Sequence, residues 1–198
     1  MQIAWNDVLA QVADTGSAYI AGALDEGTRH DLLSIELPWR EIDDRLSSGV
    51  NQQYTFASLE PVADPVLDSF CDHMCAAVRA ADGGRYGLDE LVFNEVGFHR
   101  YNDGDLGISR HRDMDFYRLL IVGITLAGSG ELHLYDDLDV QTQVWHTQPG
   151  DVYAFRAPGM GGCVDGRPRH ATGPTAGRTS LTLRFNQHGY LGGWDDAF

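Results

Sequence analysis

From about residue 89 to residue 186 the chain is a succession of strand-length segments broken by turn residues, and this pattern restricts the available folds more than any other feature. The segments 91–101 (LVFNEVGFHRY), 117–127 (YRLLIVGITLA), 131–135 (ELHLY), 140–147 (VQTQVWHT) and 152–156 (VYAFR) come first, and 168–172 and 178–186 close the run. Short strands at this spacing, with glycine and proline turns between them, predict an antiparallel barrel or jelly roll.

The first 89 residues read differently. Trp5, Val8, Leu9 and Val12 repeat at helical spacing over 5–14, and a second helix is expected over 25–35. The clearest helix runs from 64 to 82, with Asp64 as N-cap, Pro65 at the first helical position and a Gly-Gly stop at 83–84. Segment 17–22 is β-leaning, and 44–62 is polar, a hairpin or a loop. Helices first and strands afterwards predict a mainly β fold with N-terminal helices rather than an alternating α/β one. At 198 residues the chain is expected to be one domain: helical support over 1–89, a jelly-roll core over 90–186 and a tail over 187–198.

Charge narrows the function classes. Acidic residues outnumber basic ones 29 to 14, for a net charge of -15. Such a surface repels phosphate backbones and anionic membranes, so neither nucleic acid nor a membrane is an expected partner; a neutral or cationic small molecule is. No apolar run approaches the ~20 residues of a membrane span, and the opening MQIAWNDVLAQ has no signal-peptide pattern, so a cytoplasmic protein is expected. Cys71 and Cys75 flank His73 at helical spacing, but no second ligand pair follows, so they read as small buried residues rather than a zinc clip.

The chemistry concentrates in Phe98–Asp113, FHRYNDGDLGISRHRD. It ends in His111-x-Asp113, and i, i+2 residues of a strand face the same way about 6.6–7 Å apart, so both side chains can reach one ion. Two histidines and one carboxylate form the facial arrangement that leaves open positions on Fe(II). His133 and His146, in the middle strands, are possible third ligands. His170, after the Gly-rich loop 157–167 and just before the last strand, is better placed. That strand, RTSLTLRF, sets Arg178, Ser180, Thr182 and Arg184 on one face against Thr179, Leu181, Leu183 and Phe185 on the other. A guanidinium beside hydroxyls makes a fork for a carboxylate.

The ordered set HxD, His170 and RxS resembles the Fe(II)/2-oxoglutarate-dependent oxygenase superfamily over residues 90–186, and the strand R-x-S-x-T-x-R is similar to that of AlkB-type demethylases. The resemblance implies a double-stranded β-helix (jelly-roll) core and the cofactors Fe(II), 2-oxoglutarate and O2. It implies metal ligands His111, Asp113 and His170, and cosubstrate contacts from Arg178, Ser180, Arg184 and Tyr101, whose YxxG stretch runs to Gly104. The reaction implied is a C–H oxidation (hydroxylation, desaturation or ring closure) coupled to conversion of 2-oxoglutarate to succinate and CO2. In such enzymes an extension like 1–89 also completes the substrate pocket. The chain departs from the AlkB pattern in having His99 where an asparagine contacts the cosubstrate. Its His-to-Arg interval of eight residues and its lack of a basic nucleotide lid also point away from nucleic-acid repair. The expected substrate is a small amine-bearing metabolite, with Tyr117, Trp145 and Arg156 as contacts and the loop 156–167 as a lid. Two other readings stay open: a cupin-like metalloenzyme that uses no 2-oxoglutarate, and a non-catalytic jelly-roll binding domain.

Overall fold

The computed structural model describes residues 3–44 and 49–190; 45–48, within the polar stretch, and 191–198, most of the expected tail, lie outside the described residues. The element order is α1 (Trp5–Thr15), β1 (Ser17–Ile20), α2 (Glu26–Leu33), β2 (Arg40–Asp44), β3 (Gln52–Leu59), α3 (Pro65–Asp82) and β4 (Glu95–Arg100). There follow β5 (Gly107–Ile108), β6 (Leu120–Tyr135), β7 (Gln141–Thr147), β8 (Val152–Arg156) and β9 (Arg169–Arg184). The architecture is mainly antiparallel β with helices at the N-terminal end.

Local chemistry sets the helices. The Asp64 carboxylate accepts from the backbone N–H of Val66 and Leu67 to start α3, and Gly83 ends it in the left-handed conformation. Leu67, Phe70, Met74 and Val78 of α3 and Val8, Leu9 and Val12 of α1 are buried in one core with Val96, Phe98, Val122, Ile124, Leu181 and Leu183 of the sheet. The helices therefore brace one face of the sheet and leave the other free for a site.

The main path through the sheet is β1-β8-β6-β9-β4-β3-β2, with β5 paired to β3 and β7 to β6. Three of these strands come from the first 89 residues, β2 and β3 as an antiparallel hairpin. Two expectations from the sequence are corrected. Segments 117–127 and 131–135 are halves of one bent strand, β6, and 168–172 and 178–186 belong to a single β9. The glycines taken as turns are bends instead. β6 and β9 pair from Val122↔Leu183 to Tyr135↔Arg169, with register shifts around Ala127–Leu132. At the corner Gly128 has φ +63 and lies so close to β9 that a Cβ would stand 2.2 Å from the Gly177 carbonyl oxygen. Only glycine permits this approach. The bend lets both strands fold the sheet over a cavity. A second core of Ile121, Leu132, Leu134, Trp145, Tyr153 and Phe155 packs on that side, and four of these residues line the cavity.

The loop after β8 is anchored, contrary to the lid expectation. Met160 is buried in the core, Gly161 N donates to the Tyr86 carbonyl at 2.7 Å, and Arg167 reaches the Asp113 carbonyl at 2.6 Å. Among the described residues no helix is long and apolar enough to cross a membrane.

Candidate metal centre and cosubstrate pocket

His111 and His170 are brought together by backbone pairing. His111 N donates to His170 O and His170 N to His111 O, each at 2.9 Å. This isolated antiparallel bridge sets the two rings 4.4 Å apart, centroid to centroid. Two residues on from His111, Asp113 then turns its carboxylate to within 3.8 Å of His170 Nε2. One ligand atom from each of His111, Asp113 and His170 falls within 4.8 Å of the others.

The hydrogen bonds also choose the tautomer. His111 Nδ1 lies 2.8 Å from the Ser109 carbonyl and His170 Nδ1 3.3 Å from the Pro168 carbonyl. An Nδ1–H donating to a carbonyl leaves the Nε2 lone pair free for a metal. Burial, reinforced by the neighbouring His170, pushes His111 down to about 4. Burial alone would raise the Asp113 carboxyl, but His170 and His111 outweigh it and hold it below the usual value. His111 is thereby held towards its neutral form and Asp113 towards its anionic one.

Opposite this cluster, β9 presents Arg178, Ser180, Thr182 and Arg184 to the same cavity, while Leu181 and Leu183 point into the helix-braced core. Tyr101 and His99 from the β4 segment, with Thr172 and Tyr153, complete the polar lining; Ile108, Ile121, Leu132 and Phe155 supply the apolar part. Arg178 is only 1% exposed, yet its Nε has no hydrogen-bond partner, and Nη2 has Tyr153 Oη at 3.2 Å. Arg184 is also buried, with Nε and Nη1 unpartnered and the Glu95 carboxylate 3.6 Å from Nη1. Glu95 is occupied elsewhere: it accepts from the Tyr117 hydroxyl and from Asn186 Nδ2 at 2.8 Å. Unsatisfied guanidinium N–H groups in a buried cavity call for an anionic partner.

Two glycines make room for the side chains of this lining. A Cβ at Gly97 would lie 2.7 Å from Arg184 Nη1, and one at Gly123 2.1 Å from the Tyr153 ring. Gly in mid-strand is otherwise unfavourable, so its use here marks a close approach.

The substrate-contact expectations fare differently. Arg156 points to the opposite side of β8 from Tyr153 and Phe155, donating from Nη1 to Ala13 O at 2.7 Å and from Nε to Gly166 O at 3.2 Å. It ties α1 to the Gly-rich loop and does not line the cavity. Trp145 sits one layer behind, stacked between Tyr19 at 5.3 Å and Phe155 at 6.2 Å. Tyr117 lies beneath Arg184, whose guanidinium is 5.0 Å from its ring centre. His133 and His146 meet Glu131 instead, at 2.8 and 3.5 Å. Tyr153, Thr172, Glu95 and Arg167 went unrecognised in the sequence. Only Tyr153 carried a signal, sharing a strand face with Phe155; the others act through partners far away in the chain.

Histidine burial gives the metal-free protein a definite pH response. Burial, with the Arg184 and Arg178 charges, holds His99 well below the usual imidazole value, as it does His111. Above about pH 6.5 both are neutral folded and unfolded. As pH falls from 6.5 towards 4 the unfolded chain takes up protons that the folded one refuses. Stability should therefore drop by up to about 1.4 kcal/mol per pH unit for each histidine. Denaturant titrations of the apoprotein across that range check this, and His99→Gln should flatten the slope. An unchanged unfolding free energy between pH 7 and pH 5 would contradict it.

The sequence matches no protein-family model and no curated protein. Solved structures do match its fold. A Pseudomonas putida prolyl-4-hydroxylase is 18% identical with a TM-score of 0.67, covering 92% of this chain and 98% of that one. A Burkholderia pseudomallei oxidoreductase of the 2OG-Fe(II) oxygenase family is 17% identical with a TM-score of 0.63, covering 96% and 93%. A Trichoplax adhaerens prolyl hydroxylase in complex with a hypoxia inducible factor oxygen degradation domain peptide fragment is 16% identical with a TM-score of 0.60, covering 93% and 90%. The chain thus has the double-stranded β-helix fold of these oxygenases.

Proposed function

We propose that this protein is an Fe(II)- and 2-oxoglutarate-dependent dioxygenase that oxidises a C–H bond of an amine-bearing substrate. The observation that carries this reading is a His-Asp-His cluster sharing one cavity with two buried, incompletely bonded guanidiniums. The residues fit both the metal and the cosubstrate. His111, Asp113 and His170 are the donor types Fe(II) takes and leave open positions on it. Arg178, with Ser180 and the Tyr101 hydroxyl beside it, fits a carboxylate; burial pushes that hydroxyl up to about 12, so it stays a hydrogen-bond donor. Charge is consistent as well. Arg178 and Arg184 balance Glu95 and Asp113 in the buried site, and a divalent cation with a dicarboxylate adds no net charge.

Iron, 2-oxoglutarate and O2, when bound, supply the oxidation itself, with 2-oxoglutarate converted to succinate and CO2. The chain's contribution is placement. The His111–His170 bridge fixes two ligands on paired backbone, Arg167 holds the Asp113 backbone, and Glu95 with Tyr117 sets Arg184 against the cavity wall. Phe155, 4.6 Å from the His170 ring, shields that ligand from water. The acidic excess of 29 to 14 favours an amine on the substrate, as in amino acids, peptides or amino sugars.

The test is anaerobic. Fe(II) and 2-oxoglutarate added together should give the weak visible charge-transfer band of an iron-bound 2-oxo acid, and neither alone should. Iron bound without the band would favour a cupin-like enzyme that uses no 2-oxoglutarate. No iron binding would leave a jelly-roll binding domain.

A further inference from the structure

We propose that the loops around the mouth of this cavity form a docking surface for a polypeptide segment carrying basic and apolar side chains, so that the oxidised C–H bond belongs to a residue of a chain. The inference rests on the iron and 2-oxoglutarate reading of the cavity. It begins from four exposed apolar side chains: Leu106, Leu138 (83% exposed), Val140 and Val164 (90% exposed).

Each is tied closely to a metal-ligand segment. Leu106 precedes Gly107–Ile108, and Ile108 lines the cavity. Leu138 and Val140 flank Asp139, whose carboxylate pairs with Arg110 at 3.2 Å and with Arg169. Those arginines are the residues immediately before His111 and His170. Val164 precedes Asp165, which pairs at 2.8 Å with Arg167, the residue that donates to the Asp113 carbonyl. Three loops from separate parts of the chain thus carry exposed apolar side chains on segments tied to His111, Asp113 and His170. Single exposed apolar residues are ordinary, but a group converging on a site marks a binding surface.

Charge selects the occupant. The arginines here are paired with carboxylates: Arg112 to Asp137 at 2.8 Å, Arg110 and Arg169 to Asp139, Arg167 to Asp165 and a carbonyl. Beyond these pairs, the further exposed charges on the same segments are carboxylates, Asp103 and Asp115, and the paired Asp137 side chain is itself 91% exposed. An acidic and apolar rim complements basic and apolar side chains and repels a nucleic acid. A polypeptide also answers to the geometry. A free amine inside the cavity would leave loops around the opening untouched, whereas an extended chain spans about 3.3 Å per residue and can meet all three. β7 runs on directly from Val140 and, among the described residues, pairs only with β6, so its outer edge offers main-chain donors and acceptors that an extended chain can use.

The experiment uses the full chain loaded anaerobically with Fe(II) and 2-oxoglutarate. Two fluorescein-labelled pools of short random peptides serve as probes, one built from Arg, Lys, Leu, Val, Pro and Gly, the other with Asp and Glu in place of Arg and Lys. Anisotropy should show binding of the basic pool only. A Leu138→Asp, Val164→Asp double variant, changed at two exposed positions, should weaken that binding about tenfold or more. After admission of O2, the basic pool should raise succinate release above that seen with the free amino acids. Equal binding of both pools, indifference of the double variant, or stimulation by free amino acids alone would each overturn the proposal. The wild-type charge-transfer band separates the two layers: its loss tells against the iron and 2-oxoglutarate reading, whereas a normal band without peptide binding tells against the docking surface alone.

Discussion

Asp113→Ala is expected to abolish Fe(II) binding and to lower any 2-oxoglutarate turnover at least about a thousandfold. Asp113 is the only carboxylate in the His-Asp-His cluster, and two imidazoles 4.4 Å apart do not replace its negative charge. The fold should survive. The His111–His170 bridge is made by backbone groups, and Arg167 bonds the Asp113 carbonyl, not its carboxylate. Iron content after anaerobic loading, with a circular dichroism spectrum as control, reads the result. A folded Asp113→Ala protein that keeps stoichiometric iron would show that another carboxylate closes the site.

Arg178→Met should separate function from stability in opposite directions. The guanidinium lies between the Tyr101 and Tyr153 rings, 5.7 and 5.8 Å from their centres, with Nε unpartnered. A buried cation so poorly compensated costs free energy in the empty protein. Methionine fills a similar volume without charge, so the metal- and cosubstrate-free variant should be more stable by about 1–3 kcal/mol. On the proposed reading the same change removes the fork for a carboxylate of 2-oxoglutarate, whose affinity should fall on the order of a hundredfold to a thousandfold. Thermal unfolding with and without 2-oxoglutarate and Fe(II) measures both. The wild type should gain from the ligands and the variant gain little. Equal ligand-induced stabilisation in both proteins would move the anchoring role to Arg184.

These expectations rest on features of unequal legibility. Which residues gather in the cavity could be read from the chain because they stand at short spacings: His111 with Asp113, and the two-residue period of Arg178, Ser180, Thr182 and Arg184. Helix α3 was as plain, because its cap, its first-turn proline and its terminal glycine act on neighbouring backbone. Arg156 was misplaced for a physical reason. The strand period gives the two faces of β8 but not which one meets the cavity, and one residue of parity turned Arg156 towards α1. Gly128 read as a turn because a local pattern does not distinguish a reversal from a bend. Its role depends on the Gly177 carbonyl of a strand far along the chain.

The division follows the range of the forces. Helix caps, strand parity and the spacing of ligand-bearing side chains depend on bonds and clashes within a few residues, so composition and order settle them. The pairing of His111 with His170, the bend that carries β6 and β9 over the cavity, and the burial that strips Arg178 and Arg184 of water arise only when distant segments pack. The identity of the reactive groups is local. Their convergence, and the unmet hydrogen bonds that call for an anion, follow from the desolvated space that only the closed fold creates.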